Sequence, residues 1–417
     1  MTSQDGFVIV GAGFAGAKAA ETLRGEGFDG RVVLVGAEQE RPYERPPLSK
    51  GYLLGSDDRE KARVHEGGWY EAHDVDLRTG VRATRLDPAA HRLTLDTGEE
   101  LEYAGLLLAT GSSPRRLSLP GADLDGVRYL RTLPDADRLL ADLSDGGRNV
   151  VIVGAGWIGL EVAAAARHYG NAVTVVEPQP TPLHAVLGPA MGNVFARLHR
   201  EHGVDLRTGT GVREFRGAGG RVATVVTDDR ELAADVVLVG VGAVPDTELA
   251  AAAGLDVGNG VLTDAALRTS APDVFAAGDV AAAFHPLYGR HVRVEHWANA
   301  LNQGPAAARS MLGRAVAYDR IPYFFTDQYD LGMEYSGLGG PDDTVVCRGN
   351  PQDGQFIAFW LDGPRVTAGM NVNVWDVTEP IQALIRSGQA IDRAALTDAD
   401  TPLDRLVEYS PDARRSP

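Results

Sequence analysis

Val150-Val151-Ile152-Val153-Gly154-Ala155-Gly156-Trp157-Ile158-Gly159-Leu160-Glu161 reads as a buried strand, a tight glycine turn and the first turn of a helix. Its unbroken branched apolar run is what a parallel strand covered on both faces requires. The glycines divide the work: Gly154 permits the sharp turn, Gly156 lets the backbone approach a pyrophosphate, and Gly159 lets helix and strand pack closely. The helix N-terminus then meets the phosphates with unpaired N–H groups and the positive end of its dipole. A second apolar strand, Ala172 to Val176, ends in Glu177, 23 residues after Gly154, where an acid accepts hydrogen bonds from an adenosine ribose. The same device opens the chain. Phe7 to Val10 leads into Gly11, Gly13 and Gly16, and Val32 to Val35 leads to Glu38, 27 residues after Gly11. One glycine-rich turn is a weak sign, but two with their strands and acids imply two dinucleotides.

The 417 residues are enough for two or three domains with buried cores. A hydrophobic share of 44% and a charged share of 23% are those of an ordinary globular protein. The formal net charge of −17 argues against nucleic acid or an anionic membrane as main partner. Lysine is confined to Lys18, Lys50 and Lys61, so arginine supplies nearly all positive charge. The single cysteine, Cys347, excludes an internal disulfide, a CxxC pair and a thiolate-held iron–sulfur cluster within this chain, and fits a cytoplasmic setting. The apolar N-terminus is expected to be a strand rather than a signal peptide, because Asp5 and no basic residue precedes it. No uninterrupted apolar run is long enough to predict a membrane span.

Along the chain, a helix is expected from Ala15 to about Arg24, then a proline-stiffened loop from Glu38 to Lys50. Taken alone, that loop reads equally as a charged surface connector or, through Arg45 and Lys50, as the border of a cofactor's reactive end. Alternating segments from about Val75 to Tyr103 predict antiparallel strands. Leu106 to Ser112 is a short strand whose small-residue end, Thr110-Gly111, lets backbone lie against a nucleotide. Pro114 and Pro120, and later Gly242 to Pro245, mark outward and return crossovers. Asp273 to Asp279 is a strand ending in Gly-Asp, where Asp279 either bonds a sugar or ribityl hydroxyl, caps a following alanine-rich helix, or does both. Glu295 to Gly304 begins another helix. From about 320 the pattern turns aromatic and strand-like, then closes in an Asp/Arg-rich helical tail. His285, His291 and His296 lack metal-ligand spacing, so no metal site is expected.

The ordered set GAGFAG, ERPPLSK, ATGSSPR, GAGWIGLE, GVGAVPD, FAAGD, VEHWANA and FTDQYD, from about residue 6 to 335, resembles the FAD-containing NADH:ferredoxin reductases. These serve haem-thiolate monooxygenases and Rieske-type dioxygenases and share their fold with apoptosis-inducing factor. The resemblance implies an α/β chain with two Rossmann-like dinucleotide-binding domains and a C-terminal α+β domain. It implies FAD on residues 1–115 and 245–320, NADH on 116–244, and the α+β domain on 321–417. It also implies that Gly11, Gly13, Gly16, Glu38, Arg45, Lys50, Thr110, Gly111, Asp279 and Trp297 hold FAD, and that Gly154, Gly156, Gly159 and Glu177 hold NADH. Lys50 and Glu161 would be the charged catalytic pair beside the flavin and the nicotinamide. One departure stands out: Phe325-Thr326 occupy the place of the family's Trp-Ser before Asp-Gln.

The expected partner is a 2Fe-2S ferredoxin, feeding a monooxygenase or related oxygenase, with the reductase itself a monomer or weak dimer. Glu177 is followed by Pro178-Gln179-Pro180, with no arginine for a 2′-phosphate, so NADH is expected over NADPH. Rival readings on the same fold are a disulfide or peroxide reductase, a reductase of quinone or rubredoxin, and a slow redox-sensing protein. Thiol chemistry needs a cysteine after the FAD loop, and position 50 carries lysine. Because such ferredoxins are acidic, docking on this chain needs a local basic face, for which Arg290, Arg293, Arg309 and Arg314 are candidates.

Overall fold

The computed structural model describes residues 6–407, which divide into two compact units. The first runs up to Arg116 and takes in Leu130–Leu140 and Gly242–Arg320; the second holds Leu117–Tyr129, Ala141–Val241 and the chain from Ile321 on.

The first unit is built on a five-stranded parallel sheet in the order Val274–Ala276, Gly105–Leu108, Phe7–Val10, Val32–Gly36, Val75–Thr79. Phe7–Val10, Val32–Gly36 and Gly105–Leu108 are buried throughout, as a parallel sheet covered on both faces demands. Phe7–Val10 lies between the strand that follows it and one from much later in the chain. The sheet order therefore reverses there, opening a crevice at its carboxyl end. The helix Phe14–Gly25 starts at that crevice and packs on the helix Trp297–Met311. Gly304 makes this crossing close: a Cβ there would stand 2.4 Å from the Ala15 carbonyl oxygen.

Two expectations fail in this unit. Val75–Thr79 is a parallel edge strand of the main sheet, and the antiparallel set is only Ala83–Asp87, Arg92–Leu95 and Glu100–Glu102. Its pairing is set by the free edge of Val32–Gly36, which alternation in the sequence cannot reveal. No alanine-rich helix follows Asp279 either. Gly278–Val280 is a single tight turn and Ala281–His285 is a strand, pairing with Gly260–Thr263 and Arg290–Val292, so the helix-cap reading of Asp279 falls. The outward and return crossovers, Ser112–Pro114 and Ala243–Pro245, pair with each other as an antiparallel ribbon.

The second unit repeats the plan, with parallel strands in the order Asp205–Thr208, Ala172–Glu177, Asn149–Val153, Val236–Val239, Val127–Arg128. A three-stranded antiparallel sheet, Val212–Ala218, Arg221–Thr227 and Glu231–Ala233, lies beside it. The helix His184–Glu201 is broken at Gly188, where φ is +71, just before Pro189. From Tyr323 the chain forms a five-stranded antiparallel sheet in the order Tyr323–Gln328, Leu331–Gly337, Arg365–Val372, Gln355–Asp362, Thr344–Asn350. The helix Thr378–Ser387 covers it with buried Ile381, Leu384 and Ile385. The last ten residues of the expected tail, 408–417, lie outside the described residues.

Candidate functional site

Both glycine turns show why each glycine is there. Gly11 has φ +116 and Gly154 has φ +101; a Cβ on Gly11 would fall 2.0 Å from the Ala109 oxygen, and one on Gly154 2.4 Å from the Gly240 oxygen. A Cβ on Gly16 would fall 2.1 Å from the Gly11 oxygen, and one on Gly159 2.2 Å from the Gly154 oxygen, so helix and turn touch there. The middle glycines differ. Nothing stands within 4 Å of a Cβ on Gly13, and only the Gly240 oxygen, at 4.0 Å, stands near one on Gly156. Neither has a left-handed backbone: both extended residues sit just before a helix, at Phe14 and Trp157. The protein leaves that space open, which fits close approach by a phosphate group.

In the first unit a cluster of charges gathers at the crevice. Arg45 donates to Glu38 at 2.8 Å, to the Tyr43 hydroxyl at 3.1 Å and to the Arg131 carbonyl. The Tyr43 hydroxyl donates to Glu38 at 2.5 Å and accepts from the Leu133 N–H at 3.2 Å. Burial pushes the Tyr43 phenol up, so it stays a donor. Burial opposes the charge of Arg45, but Tyr43 and Glu38 outweigh it and hold the group above its ordinary value. Asp279 accepts from Arg131 at 3.0 Å and from Ser112 at 2.9 Å, both on one oxygen. Thr110 donates to the Asp246 carbonyl at 2.8 Å, and Gly111, with φ +76, lies beside the Arg131 guanidinium. Trp297, at the start of its helix, stacks on Phe14 with ring centres 5.5 Å apart and donates to Glu44 at 2.7 Å. Lys50 is half-buried at the end of the short turn Pro46–Ser49.

Arg131 is the residue that the sequence reading missed. Its Nε is buried without a hydrogen-bond partner, and burial together with the neighbouring Arg45 pulls its affinity for a proton down. A guanidinium left under-compensated in this way fits an anionic group brought from outside. It escaped notice because Leu130–Leu140 is separated in sequence from every other part of its unit, and no motif marks it.

The second unit is plainer. The Glu177 carboxylate accepts the Ala155 N–H at 2.8 Å with one oxygen and the Gln179 N–H at 2.8 Å with the other, tying the acid to its own glycine turn. Thr181 and His184 share a hydrogen bond of 3.0 Å beside it. Glu161 is buried and accepts the Thr326 hydroxyl at 2.6 Å, so the residue in place of the family serine holds the acid. Trp157 packs against Phe324 at 4.5 Å.

Other expectations can be placed as well. Arg293 is taken up by Glu295 at 2.5 Å, and Arg309 by Glu26 at 2.9 Å, which offsets two of the four arginines proposed as a basic face. Cys347 lies in the antiparallel sheet opposite Ala358, half-buried, its thiol pushed up by burial. His285 bonds the Arg320 carbonyl, and among the described residues no group of three acidic, His or Cys side chains could hold a metal ion. No helix among them is long and apolar enough to cross a membrane.

Residues 6–304 match the pyridine nucleotide-disulphide oxidoreductase family and residues 323–407 the reductase C-terminal family. The chain is 44% identical over 409 residues to the ferredoxin–NAD(+) reductase component of the anthranilate 1,2-dioxygenase system of Burkholderia cepacia, covering 97% of this chain and 100% of that one. It is 42% identical to rhodocoxin reductase of Rhodococcus erythropolis, over 88% and 86% of the two chains. The crystal structure of the covalent putidaredoxin reductase–putidaredoxin complex superposes with a TM-score of 0.93 at 36% identity, over 96% of this chain and 98% of that one.

Proposed function

Since this chain belongs to the pyridine nucleotide-disulphide oxidoreductase family, we propose that it is the NADH-dependent, FAD-containing reductase of a 2Fe-2S ferredoxin. The observation that carries this reading is the pair of glycine turns, each with a middle glycine facing open space. Two dinucleotides are thereby served in one chain. The names of the relatives supply the acceptor, and the absence of any cysteine but Cys347 weighs against thiol chemistry.

FAD, when bound, takes electrons in pairs from NADH and gives them up singly. Gly11, Gly13, Gly16, Glu38, Arg45, Lys50, Thr110, Gly111, Asp279 and Trp297, on residues 1–115 and 245–320, would hold it, with Arg131 added from the segment Leu130–Leu140 of the same unit. Gly154, Gly156, Gly159 and Glu177 would hold NADH on residues 116–244, ahead of the C-terminal domain, 321–417. Lys50 would place positive charge where negative charge develops, and Glu161, beside the nicotinamide, would balance it and help orient Lys50. We further propose that the ferredoxin serves a monooxygenase or related oxygenase, and that the reductase works in the cytoplasm as a monomer or weak dimer.

The test is NADH-driven cytochrome c reduction by the yellow holoenzyme, with and without an added 2Fe-2S ferredoxin. Strong ferredoxin dependence is expected; turnover with quinone alone would overturn the reading. Lys50→Ala should retain FAD but slow its reduction by NADH about tenfold or more. An unchanged stopped-flow rate would remove Lys50 from the chemistry.

A further inference from the structure

Behind Glu161 lies a row of buried polar side chains that the chemistry above leaves unused. The Thr326 hydroxyl meets Glu161 Oε1 at 2.6 Å; Gln328 Nε2 meets Thr326 Oγ1 at 3.2 Å; Gln328 Oε1 meets His199 Nε2 at 2.8 Å; and the Tyr329 hydroxyl meets His199 Nδ1 at 3.4 Å. Glu161 is 5% exposed, Thr326 0%, Gln328 1% and His199 0%. His202 stacks on Tyr329, with ring centres 3.7 Å apart, at the outer end. The row joins the helix Trp157–His168, the strand Tyr323–Gln328 and the helix His184–Glu201.

The Thr326 bond fixes the direction of every other bond in this row. The hydroxyl has one hydrogen and donates it to Glu161. Thr326 must then accept from Gln328, which leaves the Gln328 oxygen to accept from His199. His199 therefore carries its proton on Nε2 and offers a bare Nδ1 to the Tyr329 hydroxyl. A row of donors pointing one way reinforces itself in a buried setting, and all of it ends on Glu161.

We propose that Thr326, Gln328 and His199 are positioning residues for Glu161, a one-way hydrogen-bond row that holds the carboxylate in a single orientation toward the nicotinamide. This rests on the role proposed for Glu161 and adds residues to it. Thr326 acts directly on the acid, Gln328 by preventing the hydroxyl from turning away, and His199 by orienting the amide.

The experiment is anaerobic stopped-flow reduction of the holoenzyme flavin by NADH, with flavin content and melting temperature checked for each variant. Thr326→Val should lower the limiting rate about tenfold while the Kd for NADH changes less than about threefold, and Thr326→Ser should restore it. Gln328→Leu should cost about threefold. In a Glu161→Gln background, Thr326→Val should add less than about twofold, because the acceptor of its bond is already changed. Additive losses, or a normal rate for Thr326→Val beside a slowed Glu161→Gln, would overturn the row while leaving Glu161 in place. A normal rate for Glu161→Gln itself would overturn the reading of Glu161 and the row with it. Nitrogen-15 spectra of His199 in the wild-type holoenzyme should show a neutral ring protonated at Nε2, and the opposite tautomer would overturn the stated direction.

Discussion

The two nucleotide units share their glycine geometry to within a few tenths of an ångström, yet they treat the acid at the end of the second strand differently. Glu38 is gripped by side chains, Arg45 and Tyr43, from the proline-stiffened loop, and a second arginine, Arg131, stands close by on Asp279. Among the described residues, the Glu177 carboxylate is held by backbone N–H groups of its own turn and of Gln179. Many charged and aromatic groups locked by one another suit a cofactor that stays; a spare turn with one oriented acid suits a nucleotide that must leave each cycle. On the proposed assignment of FAD to the first turn and NADH to the second, the same turn would serve residence or exchange according to what is placed around it.

The sharpest way to break this comparison is through the glycines. Gly11→Ala should abolish the yellow holoenzyme, because the new Cβ would meet backbone in a left-handed conformation, a loss of several kcal/mol. Gly156→Ala should leave folding and flavin content intact and weaken NADH binding about a hundredfold, read by titration of the holoenzyme. A Gly156→Ala protein that fails to fold would show that the open space serves the protein rather than the nucleotide.

Arg131→Ala should come next, weakening FAD retention by about a hundredfold, since it removes a charge and leaves Asp279 short of a donor. Flavin loss on dilution measures it, and full retention would dissolve the contrast between gripped and spare sites.

His199 has a distinct signature. Burial is the main cause that brings its pKa from the usual 6.5 to about 4. The unfolded chain therefore binds the proton between those values and the folded chain does not. Stability should fall as pH drops from about 6.5 to about 4, by up to about 3 kcal/mol. Melting temperature should decline more steeply over that range for the wild type than for His199→Asn, which cannot titrate; parallel declines would contradict the buried neutral ring.

The smallest effect belongs to Glu177→Gln. It should raise KM for NADH about tenfold or less and narrow the preference over NADPH, as one accepted N–H and one charge are lost.

What the sequence disclosed follows from range. Strand, glycine turn and acid are local features set by backbone geometry, and both nucleotide units were legible from them, as were the outward and return crossovers through their prolines and glycines, though not their pairing with each other. Val75–Thr79 was misplaced because a strand's partner is chosen by whichever edge lies open, and alternation looks the same beside either. The alanines after Asp279 suggested helix by propensity, but Ala281–His285 pairs with strands on both sides, and pairing overrode preference. Arg131 and the row behind Glu161 were invisible for another reason: their partners lie far away in the chain, and only folding brings Ser112 to Asp279 or His199 to Gln328.

The place of Val274–Ala276 beside Gly105–Leu108 has a consequence for synthesis. A ribosome delivers these neighbouring strands with all of the second parallel sheet, Val127–Arg128 to Val236–Val239, in between. The sheet begun first cannot close until Ala276 has emerged, whereas the one begun later is complete well before. The nascent chain therefore finishes its second nucleotide fold first and carries the open edge of Gly105–Leu108 meanwhile, a span in which that edge is exposed to mispairing. The charge cluster around Asp279, part of the proposed flavin site, is then among the last parts of the nucleotide folds to assemble.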